Sequence, residues 1–214
     1  MSLKQKVIAI DGPSASGKGT VASRVAEALG FLYLDSGALY RLTALYAQKH
    51  NVAWSDEDAV STLAETLPAQ FEGSVVLLNG EDVSEQIRTE AIGMGASAVA
   101  QLPKVRAALL QRQRDFLTDK GLVADGRDIG SVIFPDATLK IFLTASANVR
   151  AQRRAKQLGI PCEGVAFERI LSDIEARDEA DRRRPIAPLK QLPDALLLDT
   201  NNLSIEEAVK KVLD

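Results

Sequence analysis

The chain has 214 residues and a mass of 23.0 kDa, within the size of one compact domain and marginal for two, so a single core is expected. Hydrophobic residues make up 46% and charged residues 26%, and 26 basic against 29 acidic residues leave a net charge of -3, which argues against coating nucleic acid or anionic lipid through bulk charge. One cysteine, Cys162, and one histidine, His50, exclude an internal disulfide, a Cys/His zinc cage and a histidine-rich metal site.

No run approaches the roughly 20 apolar residues of a membrane span. The polar start, Met1 to Lys6, leads into the apolar run Val7–Ile10 without an apolar leader, which predicts a cytoplasmic protein with no membrane partner. Val7–Ile10 is the first of five short apolar runs, followed by Phe31–Leu34, Leu122–Ala124, Leu139–Leu143 and Ala195–Leu198. Near-continuous apolar runs of this length predict strands buried on both faces of a parallel sheet. Helical spacing fills most of the intervals, over Gly19–Leu29, Ala38–Gln48, Pro103–Leu117, Ala147–Leu158 and Ile205–Leu213. Ser204 and Glu207 form a capping box for the last. Between the second and third helices, residues 70–83 carry turn residues at Gly73 and Asn79-Gly80 and predict a small β-meander beside the main sheet. Strand and helix alternating in this way specify an open α/β sheet with right-handed crossovers.

The strongest chemical signal follows the first strand and opens the first helix: Gly12, Pro13, Ser14, Ala15, Ser16, Gly17, Lys18, Gly19 and Thr20. Glycines let backbone N–H groups turn toward an anion, the helix N-terminus adds its dipole, and Lys18 brings a point charge to the outer phosphates. Position 19 departs from the general pattern, which has Ser or Thr there; the hydroxyl comes one residue later, at Thr20, so it need not ligate Mg²⁺ directly.

At the end of the strand Leu122–Ala124, Asp125 is suited to hold Mg²⁺ or its waters beside the phosphate cradle, and Arg127 and Asp128 follow it. A polar turn with a local Asp/Arg pair would read the same way. Of 15 arginines, 8 fall between Arg150 and Arg184, mixed with 7 acids. Arg177, Asp181 and Arg184 share one helix face until Pro185 stops the helix; Arg150, Arg153 and Arg154 are spaced for a clamp on a lid with a flexible tip at Gly159-Ile160-Pro161 and Gly164. Surface ion-pair ladders have the same spacing, but bidentate guanidinium groups are also what a transferring phosphoryl group needs. His50, in Gln48-Lys49-His50-Asn51, reads as a surface residue at a helix end.

Four blocks together resemble bacterial cytidylate kinases: Gly12-Pro-Ser-x-x-Gly-Lys-Gly-Thr20, Leu34-Asp-Ser-Gly-Ala-x-Tyr-Arg41, Asp125-Gly-Arg-Asp-x-Gly130 and Arg177-Asp-x-x-Asp-x-x-Arg184. The resemblance runs from the first strand to the closing helix. It implies a P-loop core with a five-stranded parallel sheet flanked by helices, a small β-containing insertion binding the nucleoside monophosphate at about residues 66–95, and a short helical lid at about 150–165. It also implies transfer of phosphate from ATP to CMP and dCMP, with Mg²⁺ as cofactor, in a monomer without a nucleic-acid partner.

By matching position, residues 12–20 with Arg153 and Arg154 would bind ATP, and Lys18, Asp125, Arg127 and Arg184 would serve catalysis. Arg41, Arg127 and Arg184 would surround the CMP phosphate, with Tyr40 beside them in the same block. Ser97, Arg106 and Asp128 would read cytosine, and Ser36, Arg177 and Asp181 would bind the sugar. Mg²⁺ would have no direct protein ligand, being held through waters near Thr20 and Asp125. The cytosine assignment suits hydrogen-bond chemistry, since a carboxylate accepts from the amino group and a guanidinium donates to the ring acceptors, whereas uracil would turn a carbonyl toward the carboxylate. A kinase of another acceptor, such as UMP or a small alcohol, and a nucleotide-sensing module without turnover are the alternatives. A regulatory GTP switch is disfavoured because no Asn-Lys-x-Asp sequence is present.

Overall fold

The computed structural model describes residues 5–73 and 75–214; Met1–Lys4 of the polar start and Ser74 of the expected meander lie outside the described residues. The chain divides into two compact units, one made of Met1–Leu34 with Phe116–Asp214, the other of Asp35–Asp115.

The first unit is built on five strands: β1 (Gln5–Asp11), β2 (Leu32–Asp35, its last residue opening the second unit) and, after the three strands of the second unit in chain order, β6 (Leu122–Gly126), β7 (Ala137–Thr144) and β8 (Leu196–Asp199). Their order is β2-β6-β1-β7-β8, and the β1–β6, β1–β7 and β7–β8 pairings are parallel. This is the expected α/β sheet. Ile10, Val123, Ile141 and Leu143 bury one of its faces under Val21, Ala22 and Val25 of α1 (Lys18–Leu29) and Ala208 and Val212 of α8 (Ile205–Leu213). Gly30, at φ 65, ends α1 with its N–H bonded to Ala26 O and Glu27 O, and the Ser204/Glu207 capping box starts α8 as expected. The last strand differs from expectation. β8 lies at the sheet edge with Leu196 63% and Leu197 56% exposed, because a short apolar run does not distinguish an edge strand from a central one.

Two further helices, α6 (Ala147–Leu158) and α7 (Gly164–Arg183), pack together through Ala151, Ala155, Phe167 and Ile174. Arg184 leaves the helix at φ -54, ψ 130, since a residue before proline is driven to extended backbone, so it does not continue the face of Arg177 and Asp181. Between β6 and β7 the chain makes a single π-turn at Ile129–Ile133, buried at Ile129, Gly130 and Ile133, which no local sequence pattern announces.

The second unit holds α2 (Ser36–Lys49), α3 (Glu57–Glu65), the expected antiparallel meander of β3 (Ala69–Glu72), β4 (Val75–Leu78) and β5 (Glu81–Asp82), then α4 (Glu90–Val99) and α5 (Pro103–Arg114). Asp35 caps α2 through Ala38 N at 3.0 Å, and Arg112 ties α5 to the meander through Leu67 O and Ala69 O. α4 carries Gly93 and Gly95, which lower helix propensity and hide it from pattern reading. Gly95 has a packing reason. The Trp54 indole donates to Ala44 O at 3.0 Å, and a Cβ on residue 95 would lie 2.5 Å from the same ring. Gly95→Ala is therefore expected to cost about 1–3 kcal/mol through overpacking, read as an earlier urea midpoint in the fluorescence of the single tryptophan. An unchanged midpoint would show that the ring yields freely.

Candidate active site

β1 delivers the chain at Gly12 into a loop that α1 closes. A Cβ on residue 12 would stand 2.1 Å from Leu143 O, so only glycine lets the loop pass β7. Ala15 at φ 55 and Gly17 at φ 88 take left-handed backbone, the kind of turn that gathers successive N–H groups into an anion-binding concavity. Inside this loop Ser14 Oγ and Ser16 Oγ are buried and make no hydrogen bond to the described protein. Buried hydroxyls without a partner cost about 1–3 kcal/mol each; an anion with acceptor oxygens would satisfy them.

Two arginines brace the loop from outside. Arg150, 3% exposed, donates Nη1 to Ser14 O at 2.9 Å and Nε to Ala145 O at 2.9 Å, and pairs with the buried carboxylate of Asp178. Arg153 donates Nη1 to Ser16 O at 3.3 Å and to Thr200 Oγ1 at 3.2 Å. The expectation that Arg150 belongs to a lid clamp with Arg153 and Arg154 is thus corrected for Arg150, because its guanidinium is committed to a buried ion pair and to the cradle's own carbonyl. Arg154 lies half-buried on α6. Next to Arg153, a cavity of about 670 Å³ opens between Val149, Gln152, Lys156, Ile160 and Asn201.

The register sets Ile10 opposite Asp125 and Asp11 opposite Gly126, which brings Asp125 beside the cradle. Lys18 Nζ lies 3.9 Å from Asp125 Oδ1, and the Tyr33 hydroxyl donates to Asp125 Oδ2 at 2.7 Å. The same tyrosine explains the glycine at position 19. A Cβ there would come within 3.3 Å of the Tyr33 hydroxyl and 3.7 Å of Asp125 Oδ2, so serine or threonine would crowd the pair. Thr20 is exposed on the first turn of α1.

Beyond β6, Arg127 donates Nε to Asp181 Oδ2 at 2.7 Å, and Arg184, buried just past α7, donates Nε to Asp181 O at 3.4 Å. Burial works to raise the Asp181 carboxyl, but the charges of Arg127, Arg184 and, more weakly, Lys18 outweigh it and hold the group below the usual carboxylate range. For Arg127 burial favours losing the proton, and Asp181 with Asp125 and Asp178 more than offsets it, so the cation is reinforced. The fold therefore collects Lys18, Asp125, Arg127, Asp181 and Arg184 into one electrostatic cluster. Arg177 stands half-buried one turn before Asp181, and Asp128 is 2% exposed at the start of the π-turn.

The second unit gathers a separate set. The Arg106 guanidinium sits over the Tyr40 ring at 5.4 Å and donates to Ala100 O at 3.1 Å. Arg41 donates to Ile87 O at 2.7 Å, Ser36 Oγ donates to the fully buried Gln113 at 2.7 Å, and Ser97 is half-buried on α4. His50 is the exposed C-cap of α2, with Nδ1 at 2.9 Å from Tyr46 O, a helix-end residue as expected. Tyr33, Gln113 and Asp11 carry no local signal, and Asp178 stands in the Arg177–Arg184 block with no role of its own there; the partners of all four are distant in sequence.

Among the described residues no group of three or more His, Cys, Asp or Glu is arranged to hold a metal, and no helix is long and apolar enough to cross a membrane. A single hard carboxylate such as Asp125 fits a cation that arrives mostly hydrated on nucleotide phosphates.

A family model described as cytidylate kinase matches residues 8–214. A protein named cytidylate kinase from Neisseria meningitidis serogroup C is 80% identical over 211 residues, covering 99% of this chain and 97% of that protein. Another of the same name from Chromobacterium violaceum is 61% identical, covering 97% and 94%. An uncharacterized protein from Eubacterium ventriosum shares the fold at a TM-score of 0.52 and 10% identity, over 97% of this chain and 95% of its own.

Proposed function

The chain belongs to the cytidylate kinase family, and on that premise we propose that it transfers the γ-phosphoryl group of ATP to CMP, and to dCMP, as a cytoplasmic monomer. The observation that carries this reading is the cluster of Lys18, Arg127 and Arg184 around Asp125 and Asp181, since two anionic nucleotides meet only where several cations offset their repulsion.

Residues 12–20 hold the donor's phosphates, with the Ser14 and Ser16 hydroxyls completing what the backbone N–H groups begin. The donor's nucleoside is assigned to the cavity beside Arg153, a reading supported by the bond from Arg153 to Ser16 O in the loop, and Arg154 is assigned to the donor as well. Arg127 and Arg184 hold the acceptor's phosphate, Asp128 accepts from the amino group of the base, and Arg177 and Asp181 bind the sugar. From the second unit, Arg41 is assigned to the phosphate, Ser97 and Arg106 to the base, and Ser36 to the sugar, with Tyr40 supporting Arg106.

The nucleophile is an oxygen of the acceptor's phosphate monoester, whose second pKa is about 6, so it is largely ionised at neutral pH. It forms a bond to the γ-phosphorus as the bond from that phosphorus to the bridging oxygen breaks, and ADP leaves with the electron pair. No proton moves, so no general base is needed, consistent with a chain whose only histidine is the exposed C-cap of α2. Asp125 and Thr20 would hold Mg²⁺ through waters, and the cation, when bound, offsets charge on the donor's outer phosphates. Lys18 and the arginines take up charge as it builds on the transferring group, and the loop fixes the in-line geometry.

An ADP-release assay with ATP and a panel of CMP, dCMP, UMP, AMP, GMP and a small alcohol tests the reading. CMP and dCMP are expected to be the best acceptors. UMP or the alcohol ranking first would make this a kinase of another acceptor, and ATP binding without acceptor-dependent ADP would make it a sensing module.

A further inference from the structure

Asp11 is the last residue of β1 and immediately precedes the phosphate loop, yet its carboxylate bonds to the backbone that follows β6. It is 7% exposed. Oδ1 accepts from Ile129 N and Oδ2 from Gly130 N, both at 2.8 Å. These are the first two amides of the π-turn, the ones a helical turn leaves without a partner of its own. Asp128 stands at the capping position and makes no side-chain capping bond, while its carbonyl accepts from Val132 N at 2.9 Å and Ile133 N at 3.2 Å. The cap is supplied from another strand instead. The Asp11 carboxylate packs directly against Gly130, where a Cβ would stand 3.4 Å from Oδ2 and 3.2 Å from the Lys140 side chain.

We propose that Asp11 is a positioning residue for acceptor choice: by holding the Ile129 and Gly130 amides it fixes the turn that begins at Asp128 and so aims the carboxylate that reads the base. This rests on the reading of Asp128 given above. Asparagine shows why a carboxylate is needed, because its single acceptor oxygen can serve one amide while its NH₂ is forced against the other. Burial pushes the Asp11 carboxyl up to about 6, helped by the nearby Asp128 charge and opposed by the two amides and by Lys18, so the group is mostly ionised at neutral pH.

The test compares Asp11→Asn with Asp128→Asn by the ratio of kcat/KM for CMP to that for UMP, with the ATP dissociation constant measured alone. Asp11→Asn is expected to lower the ratio about tenfold, in the direction of Asp128→Asn, with the ATP dissociation constant changed by less than the ratio. A folded Asp11→Asn protein that keeps the native ratio while Asp128→Asn erodes it overturns the inference and leaves the base reading standing. A native ratio in Asp128→Asn removes that reading and the inference with it. Should Asp11→Asn not fold, the unmodified protein supplies a second measurement. Ionisation of the phosphate is common to both acceptors and cancels in the ratio. Among the described residues, the charged groups near the turn include Lys18 from α1, Asp128 after β6 and Lys140 from β7, whose ammonium pairs with Asp194 at 2.8 Å. The ratio is expected to fall on acidification with the same midpoint as the Ile129 and Gly130 amide resonances. A flat ratio, or one with a different midpoint, overturns the proposal.

Discussion

Replacing Lys18 by methionine is expected to lower kcat/KM for ADP release by about a thousandfold while the protein stays folded. The side chain is 11% exposed, so its charge acts where water screens little. Methionine keeps most of the stem's volume and removes only the ammonium. Asp125 is not stranded by the loss, because Tyr33 still donates to Oδ2 at 2.7 Å and Arg127 is close enough to feel its charge. A melting temperature close to native together with the rate loss would separate chemistry from stability. Activity within tenfold of native would remove Lys18 from the transfer step.

Truncating Arg150 to alanine acts on stability instead. Arg150 and Asp178 are 3% and 4% exposed at their side chains, and removing one partner leaves a buried charge uncompensated, at a cost of about 3–5 kcal/mol. For a chain of 214 residues this corresponds to a fall in melting temperature of about 10 °C. Ser14 O loses its donor at the same time, so ATP affinity should fall with stability. Replacing both partners by apolar residues of similar size, Arg150→Met with Asp178→Leu, is expected to recover most of the stability and little of the ATP affinity. A single variant melting within about 2 °C of native would mean that the Asp178 carboxylate is accommodated without its partner.

The two variants differ in how legible their residues are. Lys18 stands out because a short local pattern, strand then glycine-rich loop then helix, has one dominant physical use. Arg150 was legible only as one of several arginines at helical spacing, which suggested a clamp, and the burial that makes it a brace depends on Asp178 from another helix. Tyr33 and Asp11 carried no signal, because each bonds to residues about a hundred positions away. The edge position of β8 was hidden for a related reason, since apolarity is local and sheet order is not.

The sequence by itself determined the α/β class, the phosphate loop, the meander and the capping box of the last helix, because periodicity, glycine placement and capping chemistry act within a few residues. Only the tertiary structure decided which charges neighbour one another in the first unit. Burial and long-range pairing set whether an arginine braces the loop or joins Asp181, how little room Tyr33 leaves beside position 19, and how a carboxylate on β1 caps a turn beyond β6.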